Sequence, residues 1–175
     1  MNNELEFFKN NPPRCLDNFK ATSVDAKNIV FDGHGQEVNP FFEIKCKCGS
    51  ENLSVLGYWW ENPDNKLNFF IGPISLKCVE CSEENDLFDI KYHGYDAELG
   101  HGYYSARGEG VKKLFECEAC NSNNFKLLTR FEYTEFKDDF PEAKGKEKEL
   151  FTWFSLHGEC SSCNSSVQIY EDECA

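Results

Sequence analysis

Four close pairs of cysteines constrain this chain more than any other feature. They are Cys46-Lys-Cys48, Cys78-Val-Glu-Cys81, Cys117-Glu-Ala-Cys120 and Cys160-Ser-Ser-Cys163. A short turn can present two thiolates to one ion, and a structural zinc takes four tetrahedral ligands at about 2.3 Å from sulfur. Two such turns complete one closed site. Between Cys48 and Cys78 lie 29 residues, and between Cys120 and Cys160 lie 39. Each interval is long enough for two strands and a turn. The spacing therefore predicts two structural Zn²⁺ sites, Cys46/Cys48/Cys78/Cys81 and Cys117/Cys120/Cys160/Cys163, each closed by a β-hairpin. The first pair has one residue between its cysteines where the others have two, which tightens its turn. Cys15 and Cys174 stand alone near the ends and read as small buried or terminal thiols.

Other uses of ten cysteines compete with this reading: a disulfide set, a thiol-redox centre, or plain burial. The opening MNNELEFFKNNPPR has no basic segment followed by an apolar stretch, so no secretory leader is expected. No run of about 18 apolar residues suggests a membrane span. The expected setting is the cytoplasm, where thiols stay reduced. A thioredoxin-like pair needs a βαβ setting, and the flanks here are β-like.

Those flanks repeat. GSENLSVLGYWWE follows the first pair and NSNNFKLLTRFEY the third; each has a turn with a Ser, then an Asn, then an apolar-aromatic strand. SEENDLFDIKY and NSSVQIYEDE follow the second and fourth pairs as polar turns with short strands. The pattern predicts a mainly β chain with an internal duplication: an extension over 1–27, module one over 28–92, a connector over 93–110 and module two over 111–175. Both modules resemble the zinc-ribbon family, in which two cysteine knuckles sit at the tips of β-hairpins. That resemblance covers about two thirds of the chain and implies a metal-binding fold rather than a particular function.

The local signals agree with strands. Asn28–Phe31 is a short apolar run before an Asp32-Gly33 turn, and Phe41–Ile44 leads into the first knuckle. Leu53–Trp60 and Leu67–Ile71 flank Asn62-Pro63-Asp64-Asn65, a turn by chemistry. Phe125, Leu127, Thr129, Phe131 and Tyr133 alternate with Lys126, Leu128, Arg130 and Glu132, a two-residue period, with Leu150–Leu156 as partner strand. The charged stretch 137–149 reads as a solvated loop. Only residues 3–9 and 15–20 suggest short helices, through Leu5 with Phe8 and Leu16 with Phe19.

Charge decides among functions. Eighteen Lys and Arg face 31 Asp and Glu, a formal net charge of −13. Each ion held by four thiolates adds −2, so two loaded sites bring the chain to −17. Such a surface attracts cationic partners and repels phosphate backbones. The expected partner is a basic protein. The residues read as its contacts are Tyr95, Asp96, Glu98, Tyr103 and Tyr104 in the connector and Glu171, Asp172 and Glu173 near the end. In general character, small and acidic, the chain resembles bacterial immunity proteins of contact-dependent toxin systems. That likeness implies an antitoxin that blocks a nuclease toxin by placing carboxylates where RNA phosphates sit. The alternative is a nucleic-acid-binding or transcription-associated zinc ribbon, with Tyr58, Trp59 and Trp60 stacking on bases. Against both, the tryptophans and 16 Phe read equally as core. No phosphate-binding loop, paired-His metalloprotease motif or dinucleotide fingerprint is present. His157-Gly-Glu159 before Cys160 superficially resembles a zinc deaminase, but a four-thiolate site leaves no position for an activated water. The expectation is a non-enzymatic protein.

Overall fold

A computed structural model describes residues 2–25, 38–64, 66–101, 107–134 and 144–175. The expected strand at 28–31 with its turn, and Tyr103 and Tyr104, lie outside the described residues. Helix α1 (Asn2–Asn10) opens the chain. Leu5 and Phe8 share one face of it and pack on the core. The Asn10 and Asn11 amides bond the carbonyls of Glu6 and Phe7 at 2.7 and 2.8 Å, and Pro12-Pro13 then bar further helix.

Among the described residues, nine strands follow in one antiparallel sheet: β1 (Lys20–Val24), β2 (Phe41–Lys45), β3 (Leu53–Glu61), β4 (Asn68–Cys78), β5 (Glu84–Phe88), β6 (Lys113–Leu114), β7 (Phe125–Glu132), β8 (Trp153–Cys160) and β9 (Ser166–Glu173). The mainly β class with one N-terminal helix is the expected one. Neighbours run β1-β2-β7-β3-β4-β5, with β8 and β9 continuing from β7 and β6 joining β3. Strands from the two cysteine-bearing segments interleave, because β2 pairs with β7 and Leu53 of β3 pairs with Phe125 of β7. They share a core as well as a sheet. Phe88 of β5 stacks on Phe154 of β8 at 4.2 Å between centroids, and Phe115 meets Phe125 at 5.7 Å.

One local expectation fails. In place of a helix over 15–20, a three-residue 3-10 turn spans Arg14–Leu16, and the chain enters β1 at Lys20. Leu16 and Phe19, three apart, are both buried without a longer helix, and pairing of Lys20–Val24 with β2 settles the rest. Elsewhere backbone approach fixes a residue type: Gly108 donates to the Gly72 carbonyl at 2.8 Å, and a Cβ on it would lie 2.0 Å from the Tyr58 ring.

Glu149 is buried beside the 3-10 turn, and the Arg14 N–H donates to its two oxygens at 3.1 and 3.2 Å. Burial pushes its carboxyl upward, against that N–H, Lys148 and the Arg14 guanidinium. With its folded value above the unfolded one, this group favours folding at acid pH, and the benefit is lost as pH rises through the folded value. At neutral pH the buried charge works against the fold. Glu149→Gln keeps an oxygen for Arg14 and is expected to match or exceed the parent stability at pH 7, with less gain as pH falls toward about 4.3. Glu149→Leu orphans that N–H and loses about 1–3 kcal/mol. Urea unfolding of the three proteins at several pH values checks both.

Candidate metal centres

The four cysteine pairs occupy four turns, and each strand that abuts them meets them at the same end of the sheet. Cys46–Cys48 lies between β2 and β3, and Cys78–Cys81 between β4 and β5; the β3–β4 hairpin joins them. Cys117–Cys120 lies between β6 and β7, and Cys160–Cys163 between β8 and β9; the β7–β8 hairpin joins these. The two predicted groups form as expected. Within each, the four sulfurs lie within 4.8 Å of one another. Facing sulfurs sit at 3.5 Å for Cys46 and Cys81, and at 3.6 Å for Cys48 and Cys78, Cys117 and Cys163, and Cys120 and Cys160. A disulfide would need about 2.05 Å. The edge of a tetrahedron of sulfurs around zinc is about 3.8 Å for 2.3 Å bonds. All ten cysteines are free thiols. Each group can hold one metal ion, with an all-sulfur donor set that suits a soft or borderline ion.

The turns share one hydrogen-bond scheme. In the three Cys-x-x-Cys turns the residue after the second cysteine takes the left-handed conformation: Ser82, Asn121 and Asn164 at φ 63, 58 and 59°. Its N–H returns to the first cysteine's carbonyl at 3.0, 2.8 and 2.8 Å. The first cysteine's N–H reaches the carbonyls of Glu83, Ser122 and Ser165. The Cys46-Lys-Cys48 turn makes the same closure one residue sooner. The Gly49 N–H bonds the Cys46 carbonyl at 2.8 Å, and the Cys46 N–H bonds that of Ser50 at 2.9 Å. The shorter ring demands φ +100° at Gly49, wider than a side chain readily accepts. The tight turn is thus compatible with site one because a glycine follows it.

In every pair the first cysteine is buried and the second exposed. Burial opposes ionisation of Cys160, but backbone hydrogen bonds from Cys163 and Ser162 and the Cys120 thiol bring it down to about 6. Cys78, likewise buried, is brought down to about 7 by the backbone of Cys81 and Glu80. Burial pushes Cys46 up to about 12, helped by the Cys81 thiol. The Ser122 backbone favours ionised Cys120, yet the Cys163 thiol, burial and the remaining sulfurs raise it to about 12. The split is what like charges crowded into one site produce.

The lone cysteines are buried, as expected, Cys15 at 5% and Cys174 at 2% exposure. Burial pushes both thiols far up, away from reactivity. The connector's acidic turn and the end of β9 come together: the Asp96 N–H bonds the Cys174 carbonyl at 2.9 Å, and the Tyr95 N–H bonds that of Phe151. Glu171 and Glu173 are exposed, and Tyr95 and Asp96 are half-exposed. Glu98 is turned inward, with its side chain 7% exposed and paired to Arg14 and, at 3.6 Å, to Lys146. Burial raises Asp172, which accepts the Tyr170 hydroxyl at 2.7 Å.

A feature that the sequence leaves ambiguous is the far half of the β3–β4 hairpin. Trp59, Trp60, Leu67 and Phe69 are 40–55% exposed there. Trp59 still leans on Phe70 and Phe115, whereas Trp60 and Phe69 face each other at 5.9 Å outside the core. The core reading therefore holds for most of the phenylalanines and not for this pair. Ser155 and His157 lie 3.1 Å apart, but Ser155 is 1% exposed, beyond the reach of a substrate. No helix among the described residues is long and apolar enough to cross a membrane.

Comparison with family models, curated proteins and solved structures returns no match to this chain. The cysteine geometry alone therefore carries the metal-binding reading.

Two outcomes test that geometry. Gly49→Val forces a branched side chain into a left-handed turn and is expected to weaken metal binding first and most at the first site, at a strain of about 1–3 kcal/mol. Asn164→Gly, in the corresponding turn of the second site, should bind as the parent does. Because Cys78 and Cys160 ionise readily, metal binding at pH 7 should release fewer than four protons per site. Calorimetry in buffers of different ionisation enthalpy measures that number.

Proposed function

We propose that this chain is a zinc-stapled, non-enzymatic docking protein whose acidic surface binds a basic protein. Zinc is the ion of choice for two closed four-thiolate sites in a chain of reduced cysteines. A saturated thiolate shell leaves no open coordination position, so the ions serve the scaffold. Structural zinc contributes about 10–16 kcal/mol per site in small zinc peptides, as much as a typical domain's whole stability.

The observation that carries the docking reading is the joining of two acidic segments distant in sequence. The Asp96 N–H bonds the Cys174 carbonyl, so the connector's acidic turn meets the chain one residue past the exposed Glu173, on the strand that also carries the exposed Glu171. In a chain of net charge −13 this corner steers cationic partners. A nuclease toxin, built to hold phosphates, has the matching chemistry, and an immunity protein is the form of docking protein we favour. The exposed Trp60 and Phe69 support a second reading, single-stranded nucleic acid stacked on aromatics.

The test begins with metal analysis of the purified chain, expected to give two zinc ions. Binding to a panel of basic nucleases and to RNA and DNA oligonucleotides then separates the readings. Expected are retention of a nuclease at physiological salt and association at least fivefold slower for Asp96→Asn/Glu171→Gln/Glu173→Gln. Nanomolar oligonucleotide binding lost in Trp60→Ala would replace the docking reading with the second. Retention of no basic protein at low salt would remove it.

A further inference from the structure

Asn52 links the two metal centres directly, and Asn124 ties the second to β3. The Asn52 carbonyl accepts the Val79 N–H, inside the Cys78–Cys81 turn of site one, at 3.1 Å. The Asn52 side-chain oxygen accepts the hydroxyl of Ser161, inside the Cys160–Cys163 turn of site two, at 2.9 Å. Asn124 mirrors it. Its carbonyl accepts the Ser161 N–H at 2.9 Å, and its side-chain oxygen accepts the hydroxyl of Ser54, next to Leu53 on β3, at 3.3 Å. Each asparagine is itself held in a turn, because the Asn52 N–H bonds the Ser50 hydroxyl and the Asn124 N–H bonds that of Ser122. The strand register makes the same connection. Cys78 pairs with Leu53, Leu53 with Phe125, and Phe125 with Cys160, so one rung runs from one site to the other. All four of these residues are at most 2% exposed.

From this arrangement we infer that the two sites load metal cooperatively, through Asn52, Asn124 and the Leu53–Phe125 rung. The inference rests on the zinc reading above. Ordering a turn costs about 1–2 kcal/mol per residue in backbone entropy. The first ion fixes its own two turns and, with them, one asparagine and the rung that wall the other site. The second ion then meets turns already part-ordered, which is positive coupling without any change of shape. Repulsion between two centres of charge −2 opposes this only slightly. Three strand spacings separate Cys78 from Cys160, about 14 Å, and the Debye length at physiological salt is about 8 Å.

Zinc alone is the probe, titrated into the full metal-free chain against a chromophoric chelator and followed by native mass spectrometry. With one equivalent of zinc, equal independent sites leave about half of the molecules carrying one ion, whereas coupling leaves that species in the minority. Cys48→Ser/Cys81→Ser removes two exposed ligands of site one and should weaken zinc at site two about tenfold; Cys120→Ser/Cys163→Ser should do the reverse. Asn52→Ala/Ser161→Ala should still take two ions, with the one-ion species restored. Site affinities within twofold of the parent in both cysteine variants, or a dominant one-ion species in the parent, would overturn the coupling. A parent chain that takes up no zinc would instead overturn the zinc reading itself. If a cysteine variant does not fold, the species distribution of the parent still decides.

Discussion

The convergence of four sulfurs, twice, at one end of a single sheet is the constraint on which the remainder of this structure depends. Each group gathers its ligands from two turns held at the ends of one hairpin, β3–β4 or β7–β8. The first cysteine of each turn belongs to the hydrophobic core, packed with Leu53, Phe125 and Leu127, and the second faces solvent. Core and metal centre are thus the same structure seen from two sides. Four sulfurs at such spacing cannot all carry charge without a cation among them. The divergent behaviour of Cys46 and Cys78 in one group, and of Cys120 and Cys160 in the other, reflects that conflict.

Much of this was legible in the sequence, because cysteine spacing and strand period are local signals. The intervals that suggested a hairpin within each group contain β3 with β4 and β7 with β8. The repeated Ser and Asn after the first and third pairs correspond to the same turn bonds, Ser50 to Asn52 and Ser122 to Asn124. Non-local pairing was hidden. Nothing in Phe41–Lys45 announces that β2 lies against β7, some 85 residues on in the register Phe42 to Thr129. Nor does Lys20–Val24 announce itself as a strand, since its burial is partial and its stability comes from β2. The link from Asn52 to Ser161, 109 residues apart, is of the same kind.

Surface and core divide the aromatic residues in a way that composition could not. Phe88, Phe131, Phe151 and Phe154 form a contiguous buried cluster, in which Phe88 stacks on Phe154 and Phe131 meets Phe151 edge to face. Trp60 and Phe69 lie on the part of the β3–β4 hairpin that runs beyond the residues paired with β5 and β6. Among the described residues this part has no further strand partner, and a two-stranded ribbon relies on its own cross-strand pairs, such as the facing Trp60 and Phe69 rings. Their exposure has a structural cause of its own, whatever else they contact.

Charge near the sulfurs follows the same logic. Lys20 lies opposite Lys45, and Lys126 directly precedes Leu127, which meets Ile44 at the end of the β2–β7 register, so three lysines lie at the same level of three neighbouring strands. Like charges in such a row destabilise a sheet. Glu51 offsets part of this by pairing with Lys45 at 2.5 Å, and Glu159 stands opposite Lys126. The remainder is balanced by position. Lys45 directly precedes Cys46, and the Lys20 ammonium lies 3.8 Å from where a Cβ of Gly49 would be, beside the turn that holds Cys48. A strongly acidic chain thus places some of its few cations in the strands that lead into the Cys46–Cys48 turn of site one, where a positive neighbour lowers the cost of thiolate charge.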